Sequence, residues 1–163
     1  MLSNRRGPSS LNDLVAELGP LATAGTVAEA TWADIIFLTV HWIDLPQVMA
    51  SLPSLGGKIV IDVTNPILPN GSYIDLGDTP SSAQVAGQIP GGRLVKAFNT
   101  LFATWLEAKP TQPADRRVVF VSGDEAAAKR TVLSLIATLG FAPVDLGGWK
   151  AVGSSKLAGP WPP

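Results

Sequence analysis

Along this chain, short runs of β-branched and aliphatic residues alternate with stretches in which apolar residues recur every three or four positions, a pattern that predicts β-α-β units with a parallel sheet. Four runs predict buried strands: Ile35 to Val40, Lys58 to Val63, Leu94 to Phe98 and Val118 to Val121. They are nearly continuous in apolar character, as strands covered on both faces are. Phe141 to Leu146 predicts a last strand, and Thr23 to Thr26 a short edge strand. Between them, Leu11, Leu14, Val15 and Leu18 share one helical face, with Ser10 and Asp13 at capping-box spacing and Gly19 as a stop. A helical turn runs through Ala28, Glu29, Ala30 and Trp32. Leu45 to Leu52 predicts a crossover helix with Pro46 in its first turn, and Ser82 to Ile89 predicts another. Asp124 is placed to cap a helix whose Ala128, Val132, Leu135, Ile136 and Leu139 form one apolar stripe, ended by Gly140. The fold class is therefore α/β: a doubly wound, mostly parallel sheet with helices on both faces, over residues 1–147. A Gly/Pro-rich C-terminal tail, 148–163, follows.

Composition narrows the function classes. A chain of 163 residues with 46% hydrophobic and 15% charged residues can bury a substantial core as one domain. A net charge of -1 argues against nucleic acid as a partner, and the absence of cysteine removes disulfide and thiolate chemistry. No apolar run approaches the roughly 20 residues that span a bilayer. No membrane partner is expected, and a cytoplasmic location is the default. His41 is the sole histidine, so neither a multi-histidine metal site nor a catalytic triad is expected.

Open α/β sheets bind ligands beyond the carboxyl ends of their strands, and the residues there are polar in this chain. His41 and Trp42 follow the first buried strand, Thr64, Asn65 and Pro66 the second, Asn99 and Thr100 the third, and Ser122, Gly123 and Asp124 the fourth. Such amides and hydroxyls can orient a carboxamide or a ribose without adding charge. Upstream, Ser3-Asn4-Arg5-Arg6-Gly7-Pro8 reads as the end of a nucleotide-binding strand, where two arginines suit the 2′-phosphate of NADP. Charge-assisted bonds there contribute roughly 1.5–3 kcal/mol each, enough to favour NADP over NAD. Each feature also has a structural reading: Asn65-Pro66 as turn chemistry, Ser122 and Asp124 as helix caps, and Arg5 and Arg6 as exposed N-terminal charges. Lys96, within a buried strand, either points somewhere specific or sits near a strand end, with an ordinary snorkelling lysine as the preferred reading; Trp32, Trp105 and Trp149 read as packing residues, and Arg116-Arg117 as a solvated loop charge. The long connection from Pro66 to Pro80 points to a functional or mobile segment.

Five motifs stand in a characteristic order: Ser-Asn-Arg-Arg-Gly-Pro at 3–8, Val-Thr-Asn-Pro at 63–66, Lys-Ala-Phe-Asn-Thr at 96–100, Val-Ser-Gly-Asp at 121–124 and Gly-Phe-Ala-Pro-Val-Asp-Leu-Gly at 140–147. With them the chain resembles the NADPH-dependent reductases typified by the oxidoreductase that passes hydride between NADPH and the deazaflavin coenzyme F420. The resemblance implies a Rossmann-like fold and NADP(H) as cofactor, with F420 as one co-substrate. It further implies that Asn4, Arg5 and Arg6 hold the 2′-phosphate and that Val40, His41 and Trp42 border the nicotinamide. Asn65, Pro66, Asn99 and Thr100 would line the pocket where the two rings meet. The partner expected is a small-molecule hydride acceptor, with a homodimer as one possible assembly.

In that fold a strand and a glycine-rich phosphate turn precede the segment at residues 3–8. The natural gene is therefore expected to continue upstream of Met1, or the product to be a decayed copy. The alternative function is accordingly a truncated, inactive fragment that self-associates through an open sheet edge.

Overall fold

Successive residues of a strand point to opposite faces of the sheet, so a strand buried at every position must be covered on both. In the computed structural model, which describes residues 1–89, 91–107 and 116–149, all four residues of strand Ile59–Asp62 are buried. This is β2 of a five-stranded sheet made by β1 (Ile35–Leu38), β2, β3 (Arg93–Ala97), β4 (Val118–Ser122) and β5 (Ala142–Asp145), ordered β1-β2-β3-β4-β5. Every neighbouring pair is parallel except β3 and β4, which run antiparallel with Lys96 opposite Ser122. The sheet is Rossmann-like and mostly parallel, as the alternation of patterns predicts. At one end of β1, β2 and β3 the register sets Leu38 beside Asp62 and Asp62 beside Lys96.

Alternate strand residues build two cores. Ile59, Ile61, Val95, Val119 and Val121 pack on Ala128, Val132 and Ile136 of helix α6 (Ala126–Thr138). On the opposite face, Leu38, Val60 and Leu94 meet Leu45 and Val85, which belong to helices α3 (Leu45–Ser51) and α4 (Ser81–Gly87), together with Leu55 and Ile89. Each fully buried aliphatic side chain contributes roughly 1.5–3 kcal/mol, so both layers are needed to hold the sheet. Pro46 sits in the first turn of α3, where its missing N–H has no helical partner to lose.

Several local expectations are overturned. Helix α6 is capped by Glu125, whose carboxylate accepts the N–H groups of Ala127 and Ala128, while the Asp124 carboxylate accepts the N–H of Trp149. Ser122 is a buried strand residue. The expected strand at 23–26 is reduced to a single parallel bridge between Leu2 and Ala24. It stops there because Thr26 is drawn into a capping box with Glu29 at the start of α2 (Val27–Ala30). Helix α1 (Asn12–Leu18) buries none of its residues, and Leu14 and Leu18 of its predicted stripe are exposed. Its capping box is absent because Ser10 turns instead to Asn4 and to the Gly7 carbonyl. Leu139, Trp32 and Trp105 are also exposed, Trp105 standing edge-on to Phe102 in and beside α5 (Ala103–Glu107). The tail from 150 lies outside the described residues. No helix among the described residues is long and apolar enough to cross a membrane.

Glu125 also receives the Arg93 guanidinium at 2.6 Å, tying the start of β3 to that of α6. This bond, followed by the Ala128 N–H, holds the Glu125 carboxyl below its ordinary value of 4.5. A carboxyl depressed in the native state stabilises the fold above its unfolded pKa and loses that contribution as pH falls through the native value. Glu125→Gln is therefore expected to lower the thermal midpoint at pH 7, with the gap to the parent closing as the medium is acidified below pH 4.5. Ile136→Ala, which empties a wholly buried site on α6, is expected to cost about 2–5 kcal/mol in urea denaturation at either pH.

Candidate functional site

Strands β1, β2 and β3 direct their carboxyl ends to one rim, where a cleft of about 530 Å³ opens, whereas β4 runs antiparallel to β3 and carries Ser122, Gly123 and Asp124 toward the other end of the sheet, against the expectation that they would join this rim. Thr39, Val40, His41 and Trp42, following β1, form one wall. Val63, Thr64 and Asn65, following β2, form a second part of the lining, and Ile67, Leu68, Pro69 and Gly71 a third wall. That last wall belongs to the long connection flagged in the sequence, and it is ordered by its own bonds. Ile67 pairs with Tyr73, the Leu68 N–H donates to the Ser72 carbonyl, and the Ile74 N–H donates to the Pro66 carbonyl, each of these two bonds being 2.8 Å long. The Asn70 carboxamide oxygen closes the tip by accepting from Ser72.

Asn65 and Asn99 meet across the ends of β2 and β3. The Asn65 Nδ2 donates to the Asn99 carbonyl at 2.8 Å, and the Asn99 Nδ2 donates to Asn65 Oδ1 at 3.1 Å. Asn99 reaches this position through Phe98, a buried residue with φ of 65°, a left-handed conformation that costs a non-glycine residue roughly 1–2 kcal/mol. Ring packing offsets the strain: Phe98 lies between Phe37 and Phe141, with centroids 5.7 and 6.1 Å away.

Beneath the amides lies a charged pair. Lys96 Nζ donates to Asp62 Oδ2 at 3.0 Å and to the Thr64 carbonyl, while Asp62 Oδ1 accepts from the Thr64 N–H at 2.9 Å and from its hydroxyl at 2.7 Å. Asp62 is 0% and Lys96 8% exposed, so Lys96 does not snorkel to solvent. Burial pushes its pKa below the ordinary lysine value, with the facing Asp62 partly opposing the shift. Sequence reading missed this pair. The available signal was the combination of one acid and one base, each embedded in a continuous apolar run, at matching positions in adjacent strands.

The arginine turn flanks the cleft and does not line it. Asn4 is occupied within the turn, accepting the Arg6 N–H at 2.9 Å and donating to Ser10 at 3.0 Å, and Gly7, with φ of 87°, lets the chain reverse. Both arginine side chains remain exposed. Arg5 Nη1 lies 3.9 Å from Asp44, which ends the short turn Trp42–Asp44. The cationic turn therefore adjoins the His41–Trp42 wall. Of the ten residues expected at the site, Val40, His41, Trp42 and Asn65 line the cleft. Asn99 joins them through Asn65, Pro66 stands between the lining residues Asn65 and Ile67 without lining the cleft itself, and Thr100 is exposed beyond Asn99.

Residues 1–66, which carry the arginine turn, the His41–Trp42 wall and Asn65, match the family model described as NADP oxidoreductase, coenzyme F420-dependent. A solved structure of a hypothetical protein from Sinorhizobium meliloti is 39% identical, superposes with a TM-score of 0.87, and matches over 93% of this chain and 74% of that one. The chain belongs to the NADP oxidoreductase family. A structure described as an F420-dependent NADP-reductase from Arthrobacter sp. FB24, 23% identical with a TM-score of 0.71, shares the fold over 94% of this chain and 72% of that one. Among curated proteins, metalloreductase STEAP3 of Rattus norvegicus is 31% identical over 157 residues, 90% of this chain and 31% of its own length. The chain thus spans under a third of the curated relatives it matches. In this family member, Asn65→Ala would leave the Asn99 carbonyl and amide without their partner. An expected loss of about 1–3 kcal/mol, measured by urea denaturation, follows from stranding partly buried polar groups.

Proposed function

We propose that this chain is the NADP(H)-binding part of an oxidoreductase that moves hydride between NADPH and a flat acceptor such as the deazaflavin coenzyme F420. One observation carries the reading: Asn65, paired with Asn99, lines the cleft together with His41 and Trp42, and the exposed Arg5 approaches Asp44, two residues beyond Trp42. The donor set suits the dinucleotide. Arg5 and Arg6 would hold the 2′-phosphate, in a turn shaped by Asn4, and the Asn65–Asn99 pair would orient the nicotinamide carboxamide. Val40, His41 and Trp42 would border the ring, with Pro66 and Thr100 at the edges of the acceptor space.

Bound NADPH supplies the hydride, and this chain's residues supply position. Among the residues lining the cleft, only His41 is ionisable, so the arrangement offers little acid–base chemistry and favours catalysis by alignment. The apolar wall of Ile67, Leu68 and Pro69 would keep water from the transfer path. A small-molecule acceptor is the partner this site calls for, and a homodimer would supply further acceptor contacts. The likeness to metalloreductase STEAP3 favours a second reading of the acceptor, in which the electrons pass on to a metal ion. An inactive, self-associating chain is the other reading, favoured by β1 lying at the end of the sheet order with Phe37 45% exposed.

Arg6→Ala is expected to raise the KM for NADPH by about 10- to 100-fold, the value of one charge-assisted bond, and to leave that for NADH nearly unchanged. Equal changes for both would remove the phosphate role. Size-exclusion combined with NADPH fluorescence titration of the 163-residue chain separates enzyme from fragment. A monomer or dimer that binds supports the oxidoreductase, and aggregation without binding supports the fragment. Steady-state rates with F420 and with ferric chelates then choose between the two acceptors.

A further inference from the structure

The Lys96–Asp62 pair is difficult to explain as a contribution to stability. Withdrawing two charges from water is expensive, and well-packed apolar residues in the same place are often neutral or stabilising by comparison. Continuous apolar residues fill the surrounding rungs of β2 and β3, so hydrophobic occupants would suit these positions. What the pair achieves is geometric. Asp62 takes both the N–H and the hydroxyl of Thr64, and Lys96 takes the Thr64 carbonyl, so each polar group of that one residue is tied to the charged pair.

Thr64 immediately precedes Asn65. Lys96 stands three residues before Asn99, and the intervening Phe98 is held left-handed. The restraints form a closed ring: Lys96 to Asp62, Asp62 to Thr64, Thr64 along the chain to Asn65, Asn65 to Asn99, and Asn99 back along β3 to Lys96. Strand ends joined by backbone pairing alone fray, whereas a ring closed by a charged group in a dry interior has few alternative arrangements. We infer that Lys96 is a positioning residue: its ammonium, acting through Asp62 and the Thr64 carbonyl, sets the spacing and orientation of the Asn65 and Asn99 carboxamides at the cleft. Its consequence for cofactor binding rests on the function proposed above.

The direct test needs no variant. In the parent protein, nitrogen-15 NMR should show a slowly exchanging Lys96 ammonium resonance and Asn65 and Asn99 side-chain amides protected from hydrogen exchange. An ammonium averaged with solvent would overturn the inference. Lys96→Met alone leaves Asp62 buried and unanswered, so the informative variant is Lys96→Met with Asp62→Asn, which keeps an acceptor for Thr64 while removing both charges. Its Asn65 and Asn99 amides should exchange about tenfold faster and NADPH affinity should fall about tenfold, the worth of one bond to a charged group. Lys96→Arg with Asp62 intact, which keeps a cation facing the carboxylate, should retain part of the protection that the double variant loses. Parent-like amide protection in the double variant would show the lysine to be structural filling and end the proposal. Loosened amides with unchanged NADPH affinity would uphold the tether and count against the cofactor site instead.

Discussion

Parallel pairing of β1, β2 and β3 is the constraint from which the cleft follows, because it sends three carboxyl ends to the same rim. An antiparallel arrangement would scatter the residues after each strand to opposite ends. With the strands parallel and in register, the His41 loop, the Thr64–Asn65 segment and the Phe98–Asn99 segment become neighbours although they are far apart in the chain. Two helical layers make the parallel arrangement possible by burying both faces of β2 and β3. The core and the site are consequences of the same packing.

Charge is distributed around that rim by depth. At the surface, Arg5 and Arg6 keep their guanidinium groups in solvent, with only a 3.9 Å approach to Asp44, so little of their charge is committed within the protein. Such an exposed pair adds little to stability and remains available to an anion. At the cleft itself, His41 is the one ionisable residue of the lining. Below it, the ammonium of Lys96 and the carboxylate of Asp62 are fully committed to each other and to Thr64. A charged edge, a lining without carboxylates or lysines and a locked foundation would suit the proposed alignment of two reactants.

Membership of the NADP oxidoreductase family agrees with this arrangement, since the matched residues 1–66 include the arginine turn, the first wall and the first of the two paired asparagines. The proteins it resembles carry different descriptions: the structure sharing its fold is described as F420-dependent, and the curated sequence relatives as metalloreductases. Such a difference is physically reasonable, because a fold fixes the ends of its strands but leaves free the identities of loop residues such as Ile67 to Gly71.

How far the molecule could be read in advance depended on the range of the interaction involved. All five sheet strands were legible, to within two residues at either end, because continuous β-branched runs report burial on both faces directly, and Ala128, Val132 and Ile136 announced the buried stripe of α6. Local competition misled in a few places: Thr26 chose a capping box over a strand, Glu125 displaced Asp124 as the cap, and α1 kept an apolar stripe that nothing buries. At the site, the chain itself declared the polar residues at strand ends and the arginine pair. Only tertiary structure decided that Asn65 faces Asn99, that Arg5 lies beside Asp44, and that Lys96 turns inward to Asp62. Periodicity records which face of an element is buried, but the partner found there is set by strand register across more than thirty residues of intervening chain, and no local pattern carries that information.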